Sequence, residues 1–219
     1  MLTLAGVLAP EDVERVVEGL KPVPFGDGRK TAGGDARKVK ANHQADSNDP
    51  AVQALADFVR AAIERQPLIG AYVRPARWSK LMFNRYGPGE RYGDHVDDPV
   101  MGAEGARLRT DLSFTLFLSD PATYDGGALV VDGLDGEREI KPPAGSMVIY
   151  PTGALHRVEP ITSGERLACV GWVQSLIRRA DAREILFDLS RARAGLGAGE
   201  HRLFLDKSVA ALVRLWSEI

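Results

Sequence analysis

Residues 81–97 read LMFNRYGPGERYGDHVD: a β-rich run, a Gly87-Pro88-Gly89 turn and a second run carrying His95-Val96-Asp97. Leu81 and Phe83 share one face of a strand expected over Trp78–Tyr86, and a strand is expected again over Tyr92–Asp98. Alternate side chains of a strand share a face, so His95 and Asp97 are expected to point into one pocket. A neutral imidazole and a carboxylate are two of the three ligands of a facial triad for non-haem Fe(II). His156 is the candidate for the third. Arg166, ten residues further on, is placed to hold the far carboxylate of a dicarboxylic cosubstrate.

Working outward, the downstream sequence continues as short strands punctuated by Gly and Pro. They are expected over Arg109–Leu118, Gly127–Asp132, Arg138–Lys141, Ser146–Tyr150, His156–Val158 and Arg166–Val173. Leu112, Phe114 and Leu116 alternate with Ser113, Thr115 and Phe117 along the first of these. This spacing indicates a sandwich or jelly roll. The turn after Ser146–Tyr150 is read as carrying His156 onto the next strand of the same sheet. Upstream, a strand over Leu2–Leu8 precedes a helix opened by Ala9-Pro10-Glu11-Asp12, with Val13, Val16, Val17 and Leu20 on its apolar face. A second helix, Ala51–Arg65, buries Val52, Leu55, Phe58, Val59 and Ile63. Between them Lys21–Asn48 reads as loop with a strand near Lys38–Lys40, its charge taken as solvated surface in preference to an active-site lid; His43 is assigned no role. Past the β-core, helices are expected over Asp181–Arg193 (Ile185, Leu186 and Leu189 on one side) and Ser208–Ile219 (Ala211, Leu212, Leu215 and Trp216), with a break at Gly195–Gly199. The chain therefore divides into a domain over 1–176, its β-core starting near residue 72, and a helical extension over 177–219.

Composition narrows the function classes. A net charge of −2 gives no electrostatic case for nucleic acid or an anionic membrane. No apolar run of about 18 residues is present, so no membrane span is expected. MLTLAGVLAP lacks the basic start of a signal peptide. The single cysteine, Cys169, cannot form an internal disulfide, which fits a cytoplasmic protein. Nor is there a cysteine pair to close a structural zinc site.

The remaining candidates each carry two readings. A buried Arg166 pairs either with an acid of the protein or with a cosubstrate. Tyr86 and Tyr92 flank the glycine turn, as pocket wall or as ordinary strand aromatics. Trp172 shares a face with Arg166 by parity and either lines the pocket or joins the core. Asn84 and Arg85 are within reach of a substrate, and Gly126-Gly127 is read as a turn opening the next strand.

FNRYGPGERYGDHVD (83–97), RTDLSFTLFLSDPATYDGGALVV (109–131), PPAGSMVIYPTGALHRVEPITSGERLACVGWVQS (142–175) and DAREILFDL (181–189) together resemble the Fe(II)/2-oxoglutarate-dependent dioxygenases. More closely, they resemble the bacterial PKHD-type (prolyl/lysyl hydroxylase-like) hydroxylases. The resemblance implies a mainly β fold with flanking helices, built on a double-stranded β-helix. It implies Fe(2+) held by His95, Asp97 and His156, with 2-oxoglutarate paired to Arg166 and bordered by Tyr86. It implies a substrate pocket including Tyr92, Trp172 and Asn84, and L-ascorbate as an aid that keeps the iron reduced. The expected activity is hydroxylation of an unactivated C–H in an amino-acid-like or peptidyl substrate. Glu90 and Asp98-Pro99 depart from the family's usual residues beside the metal and bear on substrate identity. The competing readings are a cupin-like metal or small-molecule binding protein without turnover, and a non-oxidative metalloenzyme that would not need Arg166. The C-terminal helices are expected either to pack on the barrel or to form a homodimer contact, which would cover the face around Trp216.

Overall fold

The computed structural model describes residues 1–218. Two antiparallel sheets face each other. The larger, in spatial order, runs Leu2–Leu4, Met147–Pro151, Leu112–Phe117, Arg166–Ser175, Met82–Tyr86, His43–Ala45 and Phe25–Asp27, with Pro75–Trp78 pairing the far end of Arg166–Ser175. The smaller runs Gly136–Ile140, Leu129–Gly133, His156–Val158, Arg91–His95 and Lys40–Ala41. This is the expected jelly roll.

The large sheet is buried on both faces, and its central strands show how. Leu112, Phe114 and Leu116 join the outer core with Leu167, Cys169 and Val173 of the neighbouring strand. Ser113 and Thr115, and across from them Val170 and Trp172, line the interior pocket. The outer core is closed by helix α1 (Pro10–Leu20) and helix α2 (Pro50–Glu64) through Val16, Val52, Val59 and Ile63, none of which is exposed. Each such side chain contributes about 1.5–3 kcal/mol on burial. Asp49 caps α2 by accepting from the Ala51 N–H, and Pro50 fills the first turn, where no donor is needed.

Several elements differ from expectation. The first strand stops at Leu4, because the Val7 and Leu8 N–H groups turn away to the Gly145 carbonyl. The strand expected over Tyr92–Asp98 ends at His95, so Asp97 lies beyond it. His156 is not on the same sheet as Met147–Pro151: the chain crosses to the smaller sheet at Thr152–Leu155, and His156 pairs directly with His95. Lys21–Asn48 is ordered by three short strands and two 3-10 turns, Gly28–Thr31 and Ala36–Val39. It is not merely solvated surface, since Lys40 and Gln44 are each only 6% exposed and line the pocket.

The C-terminal helices, α3 (Ala180–Ala194) and α4 (Glu200–Trp216), form a hairpin. Helix α4 starts eight residues before the expected Ser208; Ile219, its expected end, lies outside the described residues. Leu212 and Trp216, with Val209 and Val213, pack on Ile177, Ala182 and Leu186 within the same chain. The face offered to a partner is thus largely spent internally. Ile185 and Leu215, expected on the packed faces, are exposed instead. The hairpin is tied to the barrel by Tyr72 edge-on to Phe187 at 5.3 Å and by Arg109, which pairs with both Asp111 and Glu218.

Candidate active site

The cross-strand pair His95–His156 brings two imidazoles together, with ring centroids 4.2 Å apart. His95 Nδ1 lies 2.8 Å from the Gly93 carbonyl and His156 Nδ1 lies 3.0 Å from that of Ala154. A carbonyl only accepts, so both Nδ1 atoms carry the proton and both Nε2 lone pairs are free. His95 Nε2 stands 3.7 Å from Asp97 Oδ1, and His156 Nε2 stands 3.6 Å from Asp97 Oδ2. One ligand atom from each of the three lies within 4.8 Å of the others, a set that can hold one metal ion. The expected triad converges, although Asp97 reaches it from a loop rather than by strand alternation.

Asp97 is held in place. Its Oδ2 accepts from Ser113 Oγ and from the Trp172 indole N–H, both at 2.8 Å. Trp172, read as pocket or core, is therefore pocket, with a polar partner. Groups that orient a metal-ligating carboxylate typically change metal affinity about 10- to 100-fold when removed. Trp172→Phe is accordingly expected to weaken Fe(II) binding within that range while leaving the fold intact, checked by metal titration against a chelator. Tyr92 stacks on His95 with centroids 3.5 Å apart and planes at 14°.

Burial, followed by the neighbouring His156, holds the His95 imidazole down to about 4. It is therefore neutral and able to ligate at physiological pH. The unfolded chain takes up this proton near the ordinary value of about 6.5, whereas the fold resists it until far lower. The metal-free protein is thus expected to lose stability as pH falls from about 6.5 toward about 4. Urea unfolding across that window checks this, and His95→Gln should flatten the slope.

The other end of the pocket is built around Arg166, 2% exposed. Its guanidinium carbon lies 5.3 Å from the Tyr86 ring centroid and 5.2 Å from that of Phe117. Nε and Nη2 have no hydrogen-bond partner, and among the described residues no carboxylate lies within 4.0 Å. The salt-bridge alternative for Arg166 is therefore absent from the described residues. Asn84 Oδ1, also buried and unpartnered, borders the same pocket. Tyr86 pairs with Arg166 across the sheet, and burial pushes its phenol up to about 12, against the pull of Arg166, so it stays a donor. Orphaned buried donors of this kind fit an absent dicarboxylate acceptor. Gly127 does more than open a strand: at φ +65 its missing side chain leaves room for Ile161 and the Arg166 stem. One pocket is lined both by the three triad residues and by Arg166.

Glu90 turns to structural work, accepting from the Gly87 N–H and pairing with His43. The residues sequence reading missed are Ser113, Thr31, Lys40 and Gln44. Ser113 was signalled by a polar side chain alternating with large apolar ones in a central strand. The other three lie in a Gly- and Lys-rich stretch without periodicity, and only tertiary packing brings them to the pocket.

Residues 81–174 match the 2OG-Fe(II) oxygenase superfamily, which defines the class. A PKHD-type hydroxylase of Hyphomonas neptunium is 44% identical over the whole of both chains. A second, from Picosynechococcus sp., is 46% identical over 97% of each. A prolyl hydroxylase of Trichoplax adhaerens, solved with a hypoxia inducible factor oxygen degradation domain peptide, shares the fold with a TM-score of 0.58 over 86% of each chain at 17% identity. The chain belongs to the PKHD-type hydroxylases, Fe(II)/2-oxoglutarate-dependent oxidoreductases. This membership decides against the cupin-like and non-oxidative alternatives. No helix among the described residues is long and apolar enough to cross a membrane.

Proposed function

We propose that His95, Asp97 and His156 hold the ferrous ion, that Arg166 binds the far carboxylate of 2-oxoglutarate, and that the enzyme hydroxylates an unactivated C–H of an amino-acid-like or peptidyl substrate. The observation that carries this is the opposition, in one pocket, of three convergent ligand atoms and a buried arginine with unspent donors. Fe(II) with 2-oxoglutarate and dioxygen supplies the oxidative chemistry. The protein's part is positional. His95, Asp97 and His156 would hold the iron through two imidazoles and one carboxylate, a set too small to fill its coordination, so that cosubstrate and oxygen could also bind. Arg166, flanked by the Tyr86 and Phe117 rings, fixes the cosubstrate's length along the pocket. Tyr92, stacked on His95, and Trp172 and Asn84 in the wall bound the space left for substrate. No side chain has to act as acid or base.

The oxygenase unit spans 1–176, and 177–219 is an appended helical element. A homodimer through that element is supported by Leu203, Phe204 and Leu215, which α4 leaves exposed. L-ascorbate as iron reductant and a cytoplasmic location complete the reading. Substrate-stimulated succinate formation, dependent on Fe(II) and oxygen and screened over amino acids and peptides, tests it. Metal-free protein that turned over 2-oxoglutarate at the full rate would contradict it.

A further inference from the structure

Beyond the triad and Arg166, the pocket holds one more buried cation. Lys40, on the short strand paired with Arg91–His95, is 6% exposed. Its ammonium sits 5.0 Å from the centroid of the Tyr92 ring, the ring that also stacks on His95. Its one hydrogen bond is a long one, 3.3 Å to Thr31 Oγ1. No carboxylate among the described residues lies within 4.0 Å. Burial pushes the ammonium down to about 8, with Asp97 and Asp27 pulling it back up. Asp98, at the pocket mouth, is exposed and solvated and does not neutralise it.

Gln44 lies beside it, equally buried, on His43–Ala45 of the larger sheet, between Met82–Tyr86 and the edge strand Phe25–Asp27. Its carbonyl oxygen accepts from Thr31 Oγ1, and its amide nitrogen has only the Met82 sulfur at 3.9 Å. A thioether is a weak acceptor, so this donor too is unspent. A buried ammonium with a single long hydrogen bond is costly unless something answers it. Once iron, Asp97, a 2-oxoglutarate dianion and Arg166 are assembled, their formal charges cancel, and the charge of Lys40 is the one left over.

We propose that Lys40 and Gln44 form an anion subsite for the substrate, so that the enzyme takes a molecule bearing a free carboxylate next to the carbon it hydroxylates. This rests on the hydroxylase reading and narrows its substrate class: a free or terminal amino acid carboxylate, or an acidic side chain, in preference to the uncharged interior of a peptide. Ala36 lines the same pocket, and Val39 is seated against Gly93, where a side chain would come within about 3.0 Å of its Cβ.

The test uses anaerobic protein carrying Fe(II) and 2-oxoglutarate, titrated calorimetrically with N-acetyl amino acids and their carboxamide twins. At least one acid should bind about tenfold or more tightly than its amide, the size of a charge-assisted hydrogen bond. Lys40→Met should erase that preference with the 2-oxoglutarate affinity unchanged, Lys40→Arg should keep it, and Gln44→Leu should reduce it. Retention of the preference in Lys40→Met, binding of no acid by the wild type, or a tenfold loss of 2-oxoglutarate affinity in Lys40→Met overturns the proposal. The last result would assign the cation to the cosubstrate. If Lys40→Met fails to fold, Gln44→Leu decides: an undiminished preference there overturns the proposal. A wild-type protein that takes up no 2-oxoglutarate is a different failure, that of the hydroxylase reading, and is seen before any probe is added.

Discussion

Arg166→Met will weaken 2-oxoglutarate binding by about 30-fold or more. Truncating one partner of a buried, hydrogen-bonded charge pair costs about 2–5 kcal/mol, and each 1.4 kcal/mol is about tenfold. Arg166 has the features that put it at the high end: it is 2% exposed, enclosed by Tyr86 and Phe117, and leaves Nε and Nη2 free for an incoming acceptor. Arg166→Lys will not restore the affinity, because a point charge lacks the planar fork. The same change should leave the ligand-free fold no less stable, since a buried cation without a partner is replaced by an apolar chain of similar length. Calorimetric titration of 2-oxoglutarate at fixed Fe(II), paired with urea unfolding, measures both. Wild-type cosubstrate affinity in Arg166→Met would mean that the guanidinium does not face it.

His156→Ala will weaken Fe(II) binding by more than about 100-fold, beyond the range for residues that only orient a ligand. The effect should exceed that of Trp172→Phe, which acts through Asp97 alone. His156 is 6% exposed and its Nδ1–H is already committed to the Ala154 carbonyl. Its remaining nitrogen points at Asp97 and His95, and no other His, Cys, Asp or Glu group among the described residues forms such a cluster. The variant should fold and lose the rise in thermal midpoint that Fe(II) gives the wild type. An unchanged metal-induced rise would remove His156 from the ligand set.

Much of this was legible in the sequence, for identifiable reasons. Period-two alternation in Leu112–Phe117 marks both the outer core and the pocket wall, because a strand buried on two sides must sort its residues by face. Parity places Trp172 with Arg166 on the pocket side for the same reason. What local pattern could not carry was tertiary. The crossing from Met147–Pro151 to His156–Val158 changes sheets within a four-residue corner, and no periodicity records which sheet a chain enters. Lys40 and Gln44 look like surface residues in a Gly-rich stretch, yet edge pairing to Arg91–His95 and Met82–Tyr86 buries both. The packing of Val209, Leu212, Val213 and Trp216 of α4 onto Ile177, Ala182 and Leu186 is tertiary in the same way.

Anaerobic titration of the protein with Fe(II) and then 2-oxoglutarate, followed by visible absorption, probes the centre itself. A 2-oxo acid chelating a ferrous ion gives a metal-to-ligand charge-transfer band. This band should grow to saturation at one iron and one 2-oxoglutarate per chain, and should be absent in His156→Ala. A band that never forms in the wild type, or one that forms equally well without His156, would contradict the proposed ligand set.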